Sequence, residues 1–196
     1  MDGSAASDRE GGIRVRLPRP DPAVALRAAT EHDLDSIAAL FAPALEQYRG
    51  SAGDWLLDAY LAELLDVGGR FEVAETYVAV IAGRIVGSIV FYRDVALEGW
   101  STLPRGWSGF RALVVHPDAR GVGVGRLLVE HCLLRAREVG APVLGIHTVS
   151  LLEDAVRLYG RLGFVRCPEY DLRAADVFSE HESGDMVALA FRFDLA

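Results

Sequence analysis

The 196-residue sequence contains no lysine, so its twenty basic residues are all arginines. It has only two cysteines, Cys132 and Cys167, which make neither a disulfide framework nor a zinc site. No apolar run approaches the ~20 residues that a membrane-spanning helix needs. The start of the chain also lacks the hydrophobic segment of a secretory signal. These absences favour a cytoplasmic protein whose cysteines are buried small hydrophobes, with no metal and no membrane partner.

Negative charge dominates, with 28 acidic against 20 basic residues and a formal net charge of −8. An acidic chain argues against nucleic acid as a partner and leaves a cationic substrate open. The 51% share of hydrophobic residues is ordinary for a globular protein. Residues 1–22 are polar, punctuated by glycine and proline and aperiodic, which predicts a disordered tail. Residues 23–196 are then one domain, long enough for a substantial core.

The central feature is a strand, a glycine-rich loop and a long amphipathic helix in residues 110–140. Residues 113–115 read LVV and form the strand, which Pro117 stops. The loop follows as RGVGVG in residues 120–125, and the helix runs on to Gly140. Glycines at a helix start leave backbone N–H groups uncovered at the positive end of the helix dipole. This arrangement indicates an anion site, most simply for phosphate.

Other phosphate-binding loops fit this stretch poorly. A dinucleotide-binding loop needs G-x-G-x-x-G, but the sixth residues counted from Gly121 and Gly123 are Arg126 and Leu128. The acidic ribose ligand expected ~20 residues further on would fall near Gly145. A Walker loop is excluded because no Lys-Ser or Lys-Thr pair follows. The alternative without function is an ordinary strand-to-helix turn, although three alternating glycines exceed what a turn needs.

Hydrophobic periodicity predicts the remaining elements. Thr30 and Asp33 form a start similar to a capping box for a helix whose apolar positions begin at Leu34. The other predicted elements are a strand at 24–27, a helix at 54–66, a hairpin of strands 77–81 and 85–91, a strand at 142–148, a helix from 151 that stops at Gly163, a strand after Phe164, and a final strand at 187–193 that follows a polar loop at 179–185.

Two segments of this chain resemble the GNAT acetyltransferase superfamily. Arg120, Gly123 and Gly125 occupy its Arg/Gln-x-x-Gly-x-Gly/Ala signature. Residues 155–164 match its Ala-x-x-Leu-Tyr-x-x-x-Gly-Phe segment, and the opening at 24–33 is also similar. The resemblance covers about residues 24–196. It implies an α/β fold with a mixed, largely antiparallel sheet of about six or seven strands and helices on both faces.

The resemblance also implies direct transfer of an acetyl group from acetyl-CoA to a primary amine of a small molecule or peptide. The two motifs assign the contacts to the co-substrate residue by residue: Leu113, Val114, Val115, Arg120, Gly121, Val122, Gly123, Val124, Gly125, Arg126 and Tyr159. Tyr159 is in addition the implied acid that protonates the CoA thiolate. Its alternative role is that of a core tyrosine on an amphipathic helix.

The proton acceptor, the amine and the oligomeric state stay open. His147 stands where many relatives have a glutamate on the fifth strand, and it is either a base or a hydrogen-bonded strand residue. Leu152 replaces the asparagine that bonds the pantetheine arm in many relatives. The segments that would face the amine, 45–70 and 93–107, carry no motif, and their candidates are Tyr48, Asp54, Trp55, Tyr60 and Glu63. A homodimer is also open. The alternatives are a non-catalytic acyl-CoA sensing module and transfer of a longer acyl group.

Overall fold

A computed structural model describes residues 24–50, 54–99, 101–173 and 187–195. The predicted tail at 1–22 and the predicted polar loop at 179–185 lie outside these ranges. The described α-helices are α1 (Leu34–Leu45), α2 (Asp54–Leu64), α3 (Val67–Val73), α4 (Val124–Glu138) and α5 (Glu153–Leu162). The described strands are β1 (Val24–Ala28), β2 (Glu75–Ile81), β3 (Arg84–Tyr92), β4 (Ser108–Val115), β5 (Val143–Val149), β6 (Val165–Arg166), β7 (Leu172–Arg173) and β8 (Val187–Asp194).

The predicted capping pattern of Thr30 and Asp33 caps a 3-10 turn, Glu31–Asp33, that leads directly into α1, and it adds an ion pair. Asp33 accepts a hydrogen bond of 2.7 Å from the backbone N–H of Thr30. The same carboxylate receives both terminal nitrogens of Arg27, at 2.7 and 2.8 Å. This bidentate contact lowers the pKa of Asp33 far below its usual value. The cap therefore also joins the first strand to the first helix.

The helix predicted at 54–66 ends at Leu64, and α3 follows where no periodic pattern predicts a helix. The side chain of Asp66 accepts a hydrogen bond of 3.1 Å from the N–H of Gly69 and so caps α3. Two glycines in its first turn weaken the helix signal in the sequence. Within the described ranges, no helix combines the length and the apolar character needed to cross a bilayer.

The strands form one sheet in the order β1-β2-β3-β4-β5-β8-β6, with β7 also paired to β8. Every pairing is antiparallel except that of β4 with β5. Neighbouring residues of β2 serve opposite faces of this sheet. Ala79 packs in the core that contains Leu128 of α4, whereas Val78 packs with Phe41 of α1. The predicted mixed sheet with helices on both faces is confirmed, with eight described strands instead of six or seven.

The parallel pair separates after two residues. Ser108 lies opposite Leu144 and Gly109 opposite Gly145, and no further register pair joins β4 to β5. A Cβ on Gly109 would lie 3.0 Å from the carbonyl oxygen of Gly145, so the close approach at this point requires glycine. Beyond it, the edge of β4 that faces β5 pairs with no strand of the ranges described above. Its backbone N–H and C=O groups are left to bind something else.

A bulge interrupts β4 at the same place. Ser88 and Val90 of β3 pair with Val114 and Arg111, so β4 has one extra residue between the paired positions. Ala112 lies in this interval with φ +50°, a left-handed conformation that is uncommon for residues other than glycine. Bulges bend a strand and redirect its backbone groups. The bulge thus accompanies the divergence of β4 from β5.

Candidate active site

A cleft of ≈ 590 Å³ lies along the second half of β4. The strand residues Leu113, Val114 and Val115 line it, together with the ends of α1 and α2 and with α5 along its whole length. Of the predicted co-substrate contacts, those that line the cleft are Leu113, Val114, Val115, Arg120, Gly121, Gly123, Val124, Gly125 and Arg126. Val122 is exposed and Tyr159 is buried, and neither lines the cleft.

The glycine loop leaves the start of α4 open. Gly121 and Gly123 have φ of +80° and +90°, which side chains with a Cβ rarely adopt. Apart from the glycine itself and its two chain neighbours, no heavy atom of the described residues lies within 4 Å of the Cβ position at either glycine. Gly123 is the N-cap of α4, and no side chain in the described part of the chain caps the free N–H groups of the first turn. Open space above uncapped amides at a helix N-terminus fits a phosphate group.

Gly125 differs from the two glycines before it. It lies inside α4, whose N-cap is Gly123, and it lines the cleft. A Cβ at this position would meet Leu158 at 3.4 Å and Val115 at 3.6 Å, which is ordinary van der Waals contact. Packing among the described residues therefore does not by itself require glycine here.

Arg120 is held at the C-terminal end of α1. Its Nη2 donates a hydrogen bond of 2.9 Å to the carbonyl oxygen of Ala44, and its Nη1 donates one of 2.5 Å to Gln47. The last carbonyls of α1 lack helical partners and lie at the negative end of the helix dipole, so a cation is favourable there. Arg120 consequently joins the glycine loop to the C-terminal end of α1.

Tyr159 is 4% exposed and belongs to an aromatic cluster. Its ring centroid lies 5.7 Å from those of Phe110 and Phe164 and 6.3 Å from that of Phe191. Burial raises the pKa of its phenol well above the ordinary value. The hydroxyl is therefore protonated at neutral pH.

His147 lies on β5 beyond the last residue paired to β4, and it is outside the cleft. Its Nε2 is 2.9 Å from the carbonyl oxygen of Tyr170 and 3.4 Å from the hydroxyl of Thr102. Burial lowers the pKa of His147, so the ring is neutral near pH 7. A neutral ring that bonds a carbonyl at Nε2 carries its proton on that nitrogen.

The end of the cleft that Tyr60 of α2 lines is called its inner end, and an ion-pair network lies next to it. Arg111 of β4 donates a hydrogen bond of 3.1 Å to Glu63 of α2, and Arg70 approaches the same carboxylate at 3.4 Å. Both arginines are largely buried, at 15% and 8% side-chain exposure. Among the candidates on 45–70, Tyr48 also lines the cleft, and the side chains of residues 54–56 lie outside the described part. Arg111 carries no sequence signal, because it is a single charge within an apolar strand.

The comparisons with known proteins agree with the two motifs. The family model for the acetyltransferase (GNAT) domain matches residues 72–166. The aminoalkylphosphonate N-acetyltransferase of Salmonella typhimurium is 30% identical over 144 residues, which cover 73% of this chain and 86% of that protein. The streptothricin acetyltransferase of Streptomyces lavendulae is 31% identical over 94 residues, covering 48% of this chain and 46% of that protein. The chain therefore belongs to the GNAT acetyltransferase family, and it is an acyltransferase.

Solved structures show the same fold. A GNAT-family acetyltransferase from Staphylococcus aureus Mu50 superimposes with a TM-score of 0.63 at 13% identity, covering 89% of this chain and 100% of that one. The yncA protein of Salmonella typhimurium, assigned as an acetyltransferase and solved with acetyl-CoA, superimposes with a TM-score of 0.61 at 21% identity. That match covers 89% of this chain and 95% of yncA.

Proposed function

We propose that this protein, in the cytoplasm, transfers the acetyl group of acetyl-CoA directly to a primary amine of a small molecule or peptide. The observation that carries the proposal is the free edge of β4 beside the open glycine loop. The free edge of β4 offers backbone hydrogen-bond partners for an extended chain that contains amides, and the glycine loop offers uncapped N–H groups for phosphate. The pantetheine arm of CoA contains amides and is joined to a pyrophosphate, so it matches both features.

The named relatives support an amine as the acceptor. The Salmonella relative is named for aminoalkylphosphonates and the Streptomyces relative for streptothricin. A peptidyl-lysine N-acetyltransferase of Escherichia coli is 45% identical over 53 residues, which cover 27% of this chain and 33% of that protein. The three names share acetyl transfer but no single substrate. The segments around the inner end of the cleft are the ones expected to select the amine.

When bound, acetyl-CoA supplies an activated thioester. In the proposed mechanism, Gly121 to Arg126 hold the pyrophosphate through backbone N–H groups. Residues 113–115 pair with the pantetheine amides, and the redirected backbone of the Ala112 bulge supplies an N–H for the developing negative charge on oxygen. Tyr159 donates its proton to the departing sulfur.

Leu152 lines the cleft where many relatives place an asparagine, and its apolar side chain offers packing instead of a hydrogen bond. Ser150 is exposed at the end of β5. We infer that the backbone of β4 carries the recognition of the arm in this protein. Loss of one side-chain amide then costs a modest part of the affinity, since a single hydrogen bond contributes about 1 kcal/mol.

The test is a thiol-release assay with acetyl-CoA and a panel of amines that includes aminoalkylphosphonates, polyamines, aminoglycosides, amino acids and peptides. We expect at least one amine to release CoA and gain 42 Da (roughly one acetyl group for one hydrogen) in a mass spectrum, with full turnover. Longer acyl-CoA donors are tested in competition with acetyl-CoA, and the acyl group found on the product identifies the preferred donor. Tight binding of acetyl-CoA without transfer to any amine would instead identify a sensing module.

A further inference from the structure

Glu98 lies at the point where β4 and β5 separate. It ends a short 3-10 helix, Val95–Glu98, between β3 and β4. Its Oε1 is 3.2 Å from the place that a Cβ on Gly109 would occupy. Gly109 is the last residue of β4 that pairs with β5, so the carboxylate lies over the beginning of the gap.

Glu98 lies on the face of the sheet that α2 covers. Side chains two residues apart on a strand share a face, so the Cβ direction of Gly109 is that of Arg111. Arg111 contacts Glu63 of α2, and the neighbouring Tyr60 of α2 lines the inner end of the cleft. Glu98 is therefore beyond the inner end of the cleft, on the other side of the Ala112 bulge from residues 113–115.

The carboxylate of Glu98 is partly buried and makes no hydrogen bond or ion pair within the described ranges of the chain. The nearby cation, Arg111, is instead bonded to Glu63. A carboxylate removed from water ordinarily has a cation or hydrogen-bond donors beside it. Glu98 thus keeps an accepting oxygen beside the gap, whereas Nε2 of His147 bonds the carbonyl of Tyr170.

The surrounding charges suit a group that exchanges protons. Burial raises the pKa of Glu98 to about 7, Arg111 lowers it and Glu63 raises it. Tyr92 of β3 also faces this group, and its own pKa is raised to about 12, mainly by burial. A base that titrates close to the working pH is the efficient choice for general base catalysis.

We propose that Glu98 is the catalytic base that takes the proton of the acceptor amine, directly or through one water. This rests on the proposed function. As the amine nitrogen bonds to the acetyl carbon and the carbon–sulfur bond breaks, one amine proton passes to Glu98. The leaving sulfur takes a proton from Tyr159. Exchange with solvent then removes the proton from Glu98 and restores the one on Tyr159, so the atoms and charges balance.

The first experiment compares Glu98→Gln with the wild type in kcat/KM for the best amine of the panel, from pH 5.5 to 9.5. General base catalysis contributes ~10²–10⁴-fold, and we expect a loss of about 10²-fold at pH 8. The wild-type rise centred near pH 7 should be absent in Glu98→Gln. Glu72→Gln on the exposed side of α3 removes the same charge and should follow the wild type.

A second variant separates a base from a merely structural carboxylate. Glu63→Gln removes a negative charge that raises the pKa of Glu98 and also removes the ion pair of Glu63 with Arg111. The midpoint of the acid limb should therefore move to lower pH while the limb itself survives. Titration of ¹³C-labelled glutamate in the acetyl-CoA-free protein should show a carboxyl with a midpoint near pH 7 that is missing in Glu98→Gln and shifted downward in Glu63→Gln.

The outcomes are distinct. A folded Glu98→Gln protein that keeps the wild-type rate and acid limb overturns the assignment of Glu98 and leaves the proposed function intact. Wild-type protein that acetylates no amine overturns the proposed function and this inference with it. If Glu98→Gln does not fold, Glu98→Asp keeps the charge one methylene further back. It should retain the limb at a rate reduced by roughly tenfold, and a wild-type rate at every pH would contradict the proposal.

Discussion

Gly123 and Gly140 lie at the two ends of α4 and have the same backbone requirement. Their φ values are +90° and +76°, and beyond the adjacent residues no described heavy atom lies within 4 Å of the Cβ position at either. The first caps the N-terminus beside the cleft, whereas the second follows the C-terminus, where left-handed glycine is the common ending. A comparison of substitutions at these two glycines therefore separates the effect on ligand binding from the effect of backbone strain on stability.

Gly123→Ala and Gly140→Ala should each lower the free energy of unfolding by about 1 kcal/mol, because alanine disfavours the left-handed conformation. Only Gly123→Ala should weaken acetyl-CoA, by tenfold or more, since the added methyl and the shifted amides obstruct the phosphate position. Isothermal titration and urea denaturation measure the two effects. Equal affinities of the two variants would contradict the assignment of the glycine loop.

Tyr159→Phe tests the proposed acid while it keeps the ring packed among Phe110, Phe164 and Phe191. We expect kcat to fall by ~10²-fold with little change in acetyl-CoA affinity, as for an interaction made in the transition state. Because burial raises the pKa of Tyr159 well above its ordinary value, the wild type should show no alkaline limb from this group below about pH 10. Full kcat in the folded variant would make Tyr159 a packing residue.

Tyr77→Phe is the matched control for that experiment. Tyr77 also has a raised pKa, of about 12, but its hydroxyl donates a hydrogen bond of 2.6 Å to Glu75 away from the cleft. The control should lose about 1 kcal/mol of stability and keep its kcat. A similar fall of kcat in both variants would point to a general effect on the aromatic residues.

His147→Asn tests whether this histidine is a base or a structural residue. Its folded pKa is lowered, so the unfolded chain binds its proton more readily and the wild type should lose stability as pH falls below about 6.5. The variant should lose less between pH 7.5 and 5.5 in urea denaturation, whereas His32→Asn, at an exposed position, should follow the wild type. An acid limb of kcat/KM near pH 7 that survives in His147→Asn agrees with Glu98 as the base. Its disappearance would favour His147.

Glu75→Gln tests the link between β2 and α4. Arg135 donates two hydrogen bonds of 2.9 Å to Glu75, and this lowers the pKa of the carboxyl to about 2. A lowered pKa stabilises the fold above the unfolded value of about 4.3, and the contribution is lost as pH falls towards 2. The variant should be less stable by roughly 2 kcal/mol at pH 7, and the difference should vanish near pH 2.

Glu138→Gln is the control for this ion pair. Glu138 pairs with the same arginine, but its side chain is 60% exposed. Exposed pairs contribute about 0–1 kcal/mol, so this variant should stay close to the wild type at every pH. A pH-independent loss in Glu75→Gln would mean that packing rather than charge makes the contribution.

The sequence by itself determined the order of the elements, the family and the position of the glycine loop. These follow from local signals: periodic apolar residues, the cap at Thr30 and Asp33, and the alternating glycines, of which the structure shows Gly121 and Gly123 in the left-handed conformation. Each signal acts within a few residues of chain, where side-chain spacing and backbone preference decide the structure. The sequence did not predict the helix α3, because the two glycines in its first turn weaken the helix signal although Asp66 caps it.

Only the tertiary structure decided which charged side chains lie near one another and where β4 separates from β5. Glu98 stands in a segment without a motif, and it reaches Gly109 because the chain folds back over β4. Arg120 reads as part of a phosphate loop, yet it bonds Ala44 from an element 76 residues away. The separation of β4 from β5 also depends on contacts between distant segments. The physical reason is that burial, pKa and strand pairing are properties of neighbours in space, which a linear pattern does not contain.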